Sequence, residues 1–223
     1  MVRPASKPLI QSPQLGRHLP AHALSALDDH GEYSSVTISR ADLAGQTAHE
    51  VRFEEAHIRR SVFNRTRLHG AQVLDSRFEA TDLSGAEWER ARFKRVEFLG
   101  CRLLGIRLLE ADLQDVKFID CNLESAQFAS AKFRRVRFDR CISRGVSFEH
   151  ADLTGVAFSH CDLTSADFRE AVLQRADLRG SNLSRVQVGP KELRGAIIDR
   201  AQAVQVAILL GVTVPEEDER PAE

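Results

Sequence analysis

The chain has 223 residues, 43% of them hydrophobic and 28% charged, an ordinary balance for a folded, water-soluble protein. Its 31 basic residues against 32 acidic ones leave a formal net charge of -1, which excludes any whole-surface electrostatic argument for binding nucleic acid or for imitating it. No apolar run approaches the ~18 residues that span a bilayer, so no membrane association is expected.

The chain begins MVRPASKPLIQSPQLG, which has basic residues but no apolar stretch of the kind a signal peptide carries, so a cytoplasmic location is expected. Residues 1-30 contain Pro4, Pro8, Pro13 and Pro20 and no acidic residue before Asp28. They are expected to form a disordered N-terminal arm, with a transit peptide as the alternative.

From Val36 to Arg200 a five-residue register takes over. Every fifth residue is large and apolar (Ile38, Leu43, Phe53, Ile58, Phe63, Leu68 and onward to Ile198), with only Ala48 and Ser143 breaking the series. All 12 Phe and the single Trp fall in this phase, and Tyr33 sits one repeat earlier in it. Two residues before each large residue stands a small one, with Gln46, Ile106 and Lys191 as exceptions. The unit is cleanest as ADLAG at Ala41, ADLQD at Ala111, ADLTG at Ala151 and ADLRG at Ala176.

A period of five matches neither a helix at 3.6 nor a strand at 2.0. It calls for short sides in which two residues of five point inward, which is a β-solenoid. Columns become homogeneous at a lag of four repeats. Cys101, Cys121, Cys141 and Cys161 form one, Phe78, Phe98, Phe118, Phe138 and Phe158 a second, Val96 to Val156 a third, and Ala71 to Ala171 a fourth. Each coil therefore has four sides, and a three-sided coil would scramble all four columns. Asp or Asn between the two inward residues, as at Asp42, Asp82, Asn122, Asp152 and Asn182, suits corners by bonding nearby backbone.

On these residues the sequence resembles the pentapeptide repeat proteins, whose A(D/N)LXX motif builds a right-handed quadrilateral β-helix. The fold class implied is all-β, with residues 31-200 forming about eight coils and, at ~4.8 Å per rung, a rod roughly 40 Å long.

Along the rod, charge has to be read side by side. The third side is the only net acidic one, carrying Glu50, Glu87, Glu89, Glu110, Glu149, Asp167 and Glu170 with Arg67, Arg90, Arg107 and Arg169 between them. On the fourth side, Arg92, Asp112, Lys132 and Asp152 share one column and Arg95, Asp115 and Arg135 another, which reads as exposed cross-rung ion-pair ladders; a basic binding patch is the alternative. The four Cys occupy inward positions at a rung spacing too long for disulfides and are expected to be free thiols. His49, His69 and Glu89 share an outward column, where a surface metal site competes with plain solvation. Leu99, Leu104, Leu109 and Ile119 form an outward belt, either a partner contact or local packing. At Ser143, which stands between Leu123 and Leu163, either a small void remains or Ile142 turns inward. No nucleophile elbow, phosphate loop or closely spaced metal-ligand motif is present, so neither enzymatic activity nor a cofactor is expected.

Residues 201-210 (AQAVQVAILL) leave the register for a helix, with Asp199 as N-cap and Gly211 as stop. This helix is apolar nearly all round and must be covered, and an open solenoid end must be capped. A homodimer through residues 201-214, as a dimerisation helix followed by a strand, answers both needs, with Val204, Ile208, Leu209, Leu210, Val212 and Val214 as its contacts; residues 215-223 read as an acidic disordered tail. The segment LRGAIIDRAQAVQVAILLGVTV is similar to the C-terminal segment of the Qnr and mycobacterial MfpA group of quinolone-resistance pentapeptide proteins, through Gln202, Ile208, Leu209, Leu210, Gly211, Val212 and Val214. That resemblance implies binding to DNA gyrase and related type II topoisomerases by a DNA-shaped rod. The contact would then lie on the acidic side, at Glu87, Glu89, Glu110, Glu149, Asp167 and Glu170. The alternative is a pentapeptide-repeat scaffold for an unrelated partner, and direct nucleic-acid binding is not expected.

Overall fold

The computed structural model describes residues 10-215. From Ile38 to Val186 the small and large residues of the register point inward and are buried, Gln46 excepted, and the residues between them mostly face out. The last residue of nearly every repeat turns the corner with positive φ. Glycine does this at Gly45 and Gly100 (67° and 58°), but so do Arg40, Glu110 and Asp115 (57°, 55° and 55°). A left-handed conformation costs a non-glycine residue about 1-2 kcal/mol, so the hydrogen bonds between rungs impose the corner.

Those rung-to-rung bonds run throughout the rod, for example from Leu103 N-H to the Asn122 carbonyl at 2.7 Å and from Asn122 N-H to the Cys101 carbonyl at 3.0 Å. All pairing is parallel, and from Ile38 onward the register advances one coil at a time: Ile38 on Ile58, Ile58 on Phe78, Phe78 on Phe98. Four strands, Gln72–Glu79, Arg92–Leu99, Asp112–Ile119 and Lys132–Asp139, are eight residues long because each bends around a corner at Asp75, Arg95, Asp115 or Arg135 and serves two sides.

Inside, the expected columns stack. Phe118 lies nearly parallel to Phe98 and Phe138, with ring centroids 4.9 and 4.7 Å apart. The four Cys are free and buried, and the Cys121 thiol donates to the Ile119 carbonyl. Trp88 satisfies its indole N-H on the Thr66 hydroxyl at 2.9 Å. The outward Asx residues stand mid-side, in the bridges between rungs, and not at the corner as expected; they reach the turn with their side chains, Asp82, Asn122 and Asp152 each accepting from the backbone N-H two residues on.

Two further expectations change, at the arm and after the C-terminal helix, and an open choice at Ser143 is decided. Residues 10-30, read as disordered from their prolines, are placed against the rod: Ala21–His22 pairs with Thr37–Ile38, Leu27 is buried, and Gln11 and Gln14 reach the rod's flank. Proline removes a donor without preventing an extended run held by other groups. At Ser143 the side chain is buried while Ile142 faces out, so Ile142 does not fill the column. The C-terminal helix spans Arg200–Leu209, one residue earlier than expected, and no strand follows it at Val212 to Val214. A lone strand there has no neighbour to pair with.

Candidate functional site: the C-terminal end and the charged flanks

The rod's last coil ends in a helix whose first turn is also its anchor. The Asp199 carboxylate accepts from Gln202 N-H at 3.0 Å, and Gln202 Oε1 accepts from Asp199 N-H at 2.9 Å, a reciprocal capping box. The Gln202 side chain is buried, and its amide donates to the carbonyls of Leu178 and Ser181, both at 2.7 Å. Gln202 thus satisfies acceptors that the end of the solenoid would leave open. The rest of the segment faces outward: Val204, Ile208, Leu210, Val212 and Val214 are exposed, and Leu209 packs against the core. An exposed apolar group of this size on one end of a rod is chemically suited to covering by another apolar surface.

The acidic side gathers on one flank as the register requires, but each of its candidate contacts already has a cation. Glu87 lies 3.6 Å from Arg67, Glu89 2.8 Å from Arg107 and Glu110 3.0 Å from Arg90. Arg169 serves both Asp167, at 2.7 Å, and Glu149, at 3.8 Å, and Lys191 reaches Glu170 at 3.5 Å. The flank is a mosaic of paired charges. These pairs are exposed or half-exposed and cost little to exchange for pairs with a partner.

On the adjoining flank the ladder is longer and more deeply set than the exposed one expected. Asp75, Arg95, Asp115 and Arg135 share the corner column. Arg95 grips Asp75 with two nitrogens, and Arg135 grips Asp115 at 2.6 Å through both. Asp75 and Asp115 are buried, because the arm closes over them: Gln14 N-H donates to Asp75 at 3.0 Å, Gln11 N-H to Asp115 at 3.2 Å, and Lys117 Nζ to the Ser12 hydroxyl at 2.8 Å. Burial alone would raise the Asp115 carboxyl, but the Arg135 hydrogen bonds and charge and the Gln11 amide hold it below the ordinary carboxylate range, and Arg95 and Gln14 do the same for Asp75. In the neighbouring column, Asp112 pairs diagonally with Arg134 rather than with Arg92 or Lys132.

The remaining sequence candidates separate. Among the described residues no cluster of three or more His, Cys, Asp or Glu could hold a metal ion; His49 instead meets Asp29 at 3.1 Å. Of the leucine belt only Leu104 is exposed, and Leu99, Leu109 and Ile119 are half-buried. Among the described residues no helix is long and apolar enough to cross a membrane.

The sequence matches a family model described as a pentapeptide repeat region over residues 72-148 and 111-198, together more than half of the chain. No curated protein matches it. Among solved structures, a trypsin-treated variant of QnrB1, a plasmid-mediated fluoroquinolone resistance protein, is 22% identical, covers 86% of this chain and 99% of its own, and has a TM-score of 0.41. HetL, a pentapeptide repeat protein involved in heterocyst differentiation regulation in the cyanobacterium Nostoc sp. strain PCC 7120, is 20% identical over 76% of this chain and 90% of its own, with a TM-score of 0.25. A pentapeptide repeat protein of the Arabidopsis thaliana thylakoid lumen is 21% identical over 50% and 67%, with a TM-score of 0.17.

Proposed function

Because the chain belongs to the pentapeptide-repeat family, we propose that it is a non-enzymatic cytoplasmic interaction protein that works as an end-to-end homodimer and binds DNA gyrase or a related type II topoisomerase, modulating it or shielding it from gyrase poisons. The observation that carries this reading is the C-terminal segment, where Val204, Ile208, Leu210, Val212 and Val214 are all exposed beside the capped end of the rod. A second copy offers the same surface, so the two cover each other by a twofold axis. It is also the segment of the sequence that resembles the gyrase-binding group.

The rod then meets its partner through the acidic side. Each of Glu87, Glu89 and Glu110 must trade its arginine for a cation of the partner, so recognition works by exchange of ion pairs rather than by a bare row of carboxylates. The test is DNA supercoiling by purified gyrase, with and without a fluoroquinolone. Wild type changes supercoiling or reduces drug-induced cleavage at low salt; reversing Glu87, Glu89 and Glu110 to Lys abolishes the effect with the melting temperature unchanged. Reversing Arg92 and Lys94 on the adjoining flank spares it. If wild type alters neither readout, the gyrase reading fails and the rod serves another partner.

A further inference from the structure

Many of the rod's arginines are matched to acids: Arg77, Arg90, Arg95, Arg107, Arg135 and Arg140 each have a carboxylate partner. Others, such as Arg65, Arg175 and Arg185, stand singly at corners, but one corner stacks two unmatched arginines. Arg40 and Arg60 occupy the same corner column one rung apart, both with positive φ, and Arg59 stands beside Arg60. Among the described residues none of the three has a carboxylate within ion-pair distance. Among the described residues, Arg40 and Arg60 are the only two Lys or Arg residues one rung apart in one column of which neither has an acid partner.

The register would supply an acid, since Glu79 lies one rung from Arg59. Glu79 turns instead to His57, whose Nε2 it meets at 3.0 Å. Arg59 points the other way and donates through Nε to the Ser39 hydroxyl at 2.9 Å. That bond fixes the plane of the Arg59 guanidinium and leaves its two terminal nitrogens free. Ser39, Arg40, Arg59, Arg60 and Glu79 together line a shallow recess of about 410 Å³.

We propose that this recess is an oxyanion site of the phosphate class, with Arg40 and Arg60 as jaws one rung apart and Arg59, beside Arg60, held toward the lower rung by Ser39. Planar guanidinium groups present paired N-H donors that match the oxygens of a tetrahedral phosphate, and a dianion relieves the repulsion of stacked like charges. An acidic residue in the column would serve a merely structural rod better, as it does at Asp75, Asp115 and Asp120 elsewhere along the rod. The site lies on a different corner from Asp75 and Asp115, although the arm's Ala21–His22 runs beside Thr37 and Ile38 next to it, and it is independent of the dimer and of the gyrase reading. Two sources share the chemistry: a free phosphorylated small molecule and the phosphodiester backbone of a nucleic acid.

The experiment is titration of the full chain at low ionic strength, where screening is weak, with inorganic pyrophosphate and, separately, with a short DNA duplex, followed by amide chemical shifts and calorimetry. Shifts centred on residues 39-40 and 59-60 are expected with at least one of the two. Pyrophosphate alone identifies a small-molecule site, and saturable binding of the duplex identifies a backbone contact. The double variant Arg40→Ala with Arg60→Ala weakens binding about tenfold or more. The variant Arg40→Lys with Arg60→Lys keeps the charge but loses the paired donors and is several-fold weaker than wild type. Both variants lie on the exposed surface, and an unchanged melting temperature shows that they fold. Absence of binding by either probe, or binding that the alanine and lysine variants leave intact, overturns the proposal.

Discussion

Ser143 is the one residue of the inward large column, between Leu123 and Leu163, that brings a hydroxyl where its neighbours bring a branched apolar side chain. It is buried, and its Oγ has no hydrogen-bond partner. An unpaired buried hydroxyl costs about 1-3 kcal/mol, and the missing leucine withholds apolar burial besides. Ile142, which could have compensated, stays exposed. Ser143→Leu is therefore expected to raise stability by roughly 1-3 kcal/mol, read as a higher denaturant midpoint at constant slope; a lower midpoint would show that the coil has already closed on the serine and is overpacked by leucine. The same scale explains the corners. Arg40, Asp75 and Glu110 take the left-handed conformation that glycine takes at Gly45; at such a corner the N-H is held to the next rung, as Arg40 is to the Arg59 carbonyl at 3.2 Å and Glu110 to the Ala129 carbonyl at 3.0 Å.

Among the elements, the arm and the corner column it covers carry the clearest dependence on pH. Asp75 and Asp115 are held below their ordinary carboxylate range in the folded state. A carboxylate whose pKa is depressed by folding contributes stability that is present above the unfolded value, near 4, and is lost as pH falls through the folded value. Urea unfolding between pH 7 and pH 2 should show that acid loss, and Asp115→Asn should flatten it while costing about 1-3 kcal/mol at neutral pH, below the full price of breaking a buried pair because Arg135 keeps some solvent. In the same variant the Gln11 amide should exchange with solvent faster. An unaltered pH profile would mean that the column is not what protonation attacks. How far these elements could be read from the chain follows from where their information lies. The four-sided coil and the Asp199 cap were legible because each is written by residue type at a fixed short spacing, whereas the Asx residues sit mid-side and only their side chains reach the turn. The arm was not. Its anchors are the backbone N-H groups of Gln11 and Gln14, which no side-chain pattern marks, and their acceptors lie 104 and 61 residues away. The acidic side was legible as a column of acids but not as a paired one, since rotamers decide that Arg107 reaches Glu89 on a diagonal and that Arg169 divides between Glu149 one rung below and Asp167 on its own rung.

For the whole molecule, the exposed C-terminal residues set the expected assembly. Two chains of 24.9 kDa should appear in light scattering as a particle of about 50 kDa, and replacing Ile208 and Val212 by Glu should return the single-chain mass with the β-helix spectrum intact. A wild-type monomer at all concentrations would remove the dimer and leave the apolar end for another partner. The arm has a consequence of a different kind, in the order of events as the chain is made. Stacking one rung on the last is a contact across 20 residues, so coils can add one after another as the chain emerges. The arm emerges first, yet the carboxylate that receives Gln11 arrives more than a hundred residues later. Its docking is therefore a late event that reports a rod already grown past Asp115. In unfolding the sequence reverses: the arm has to let go before those middle rungs can peel apart, so a solenoid with otherwise local cooperativity acquires one long-range clasp.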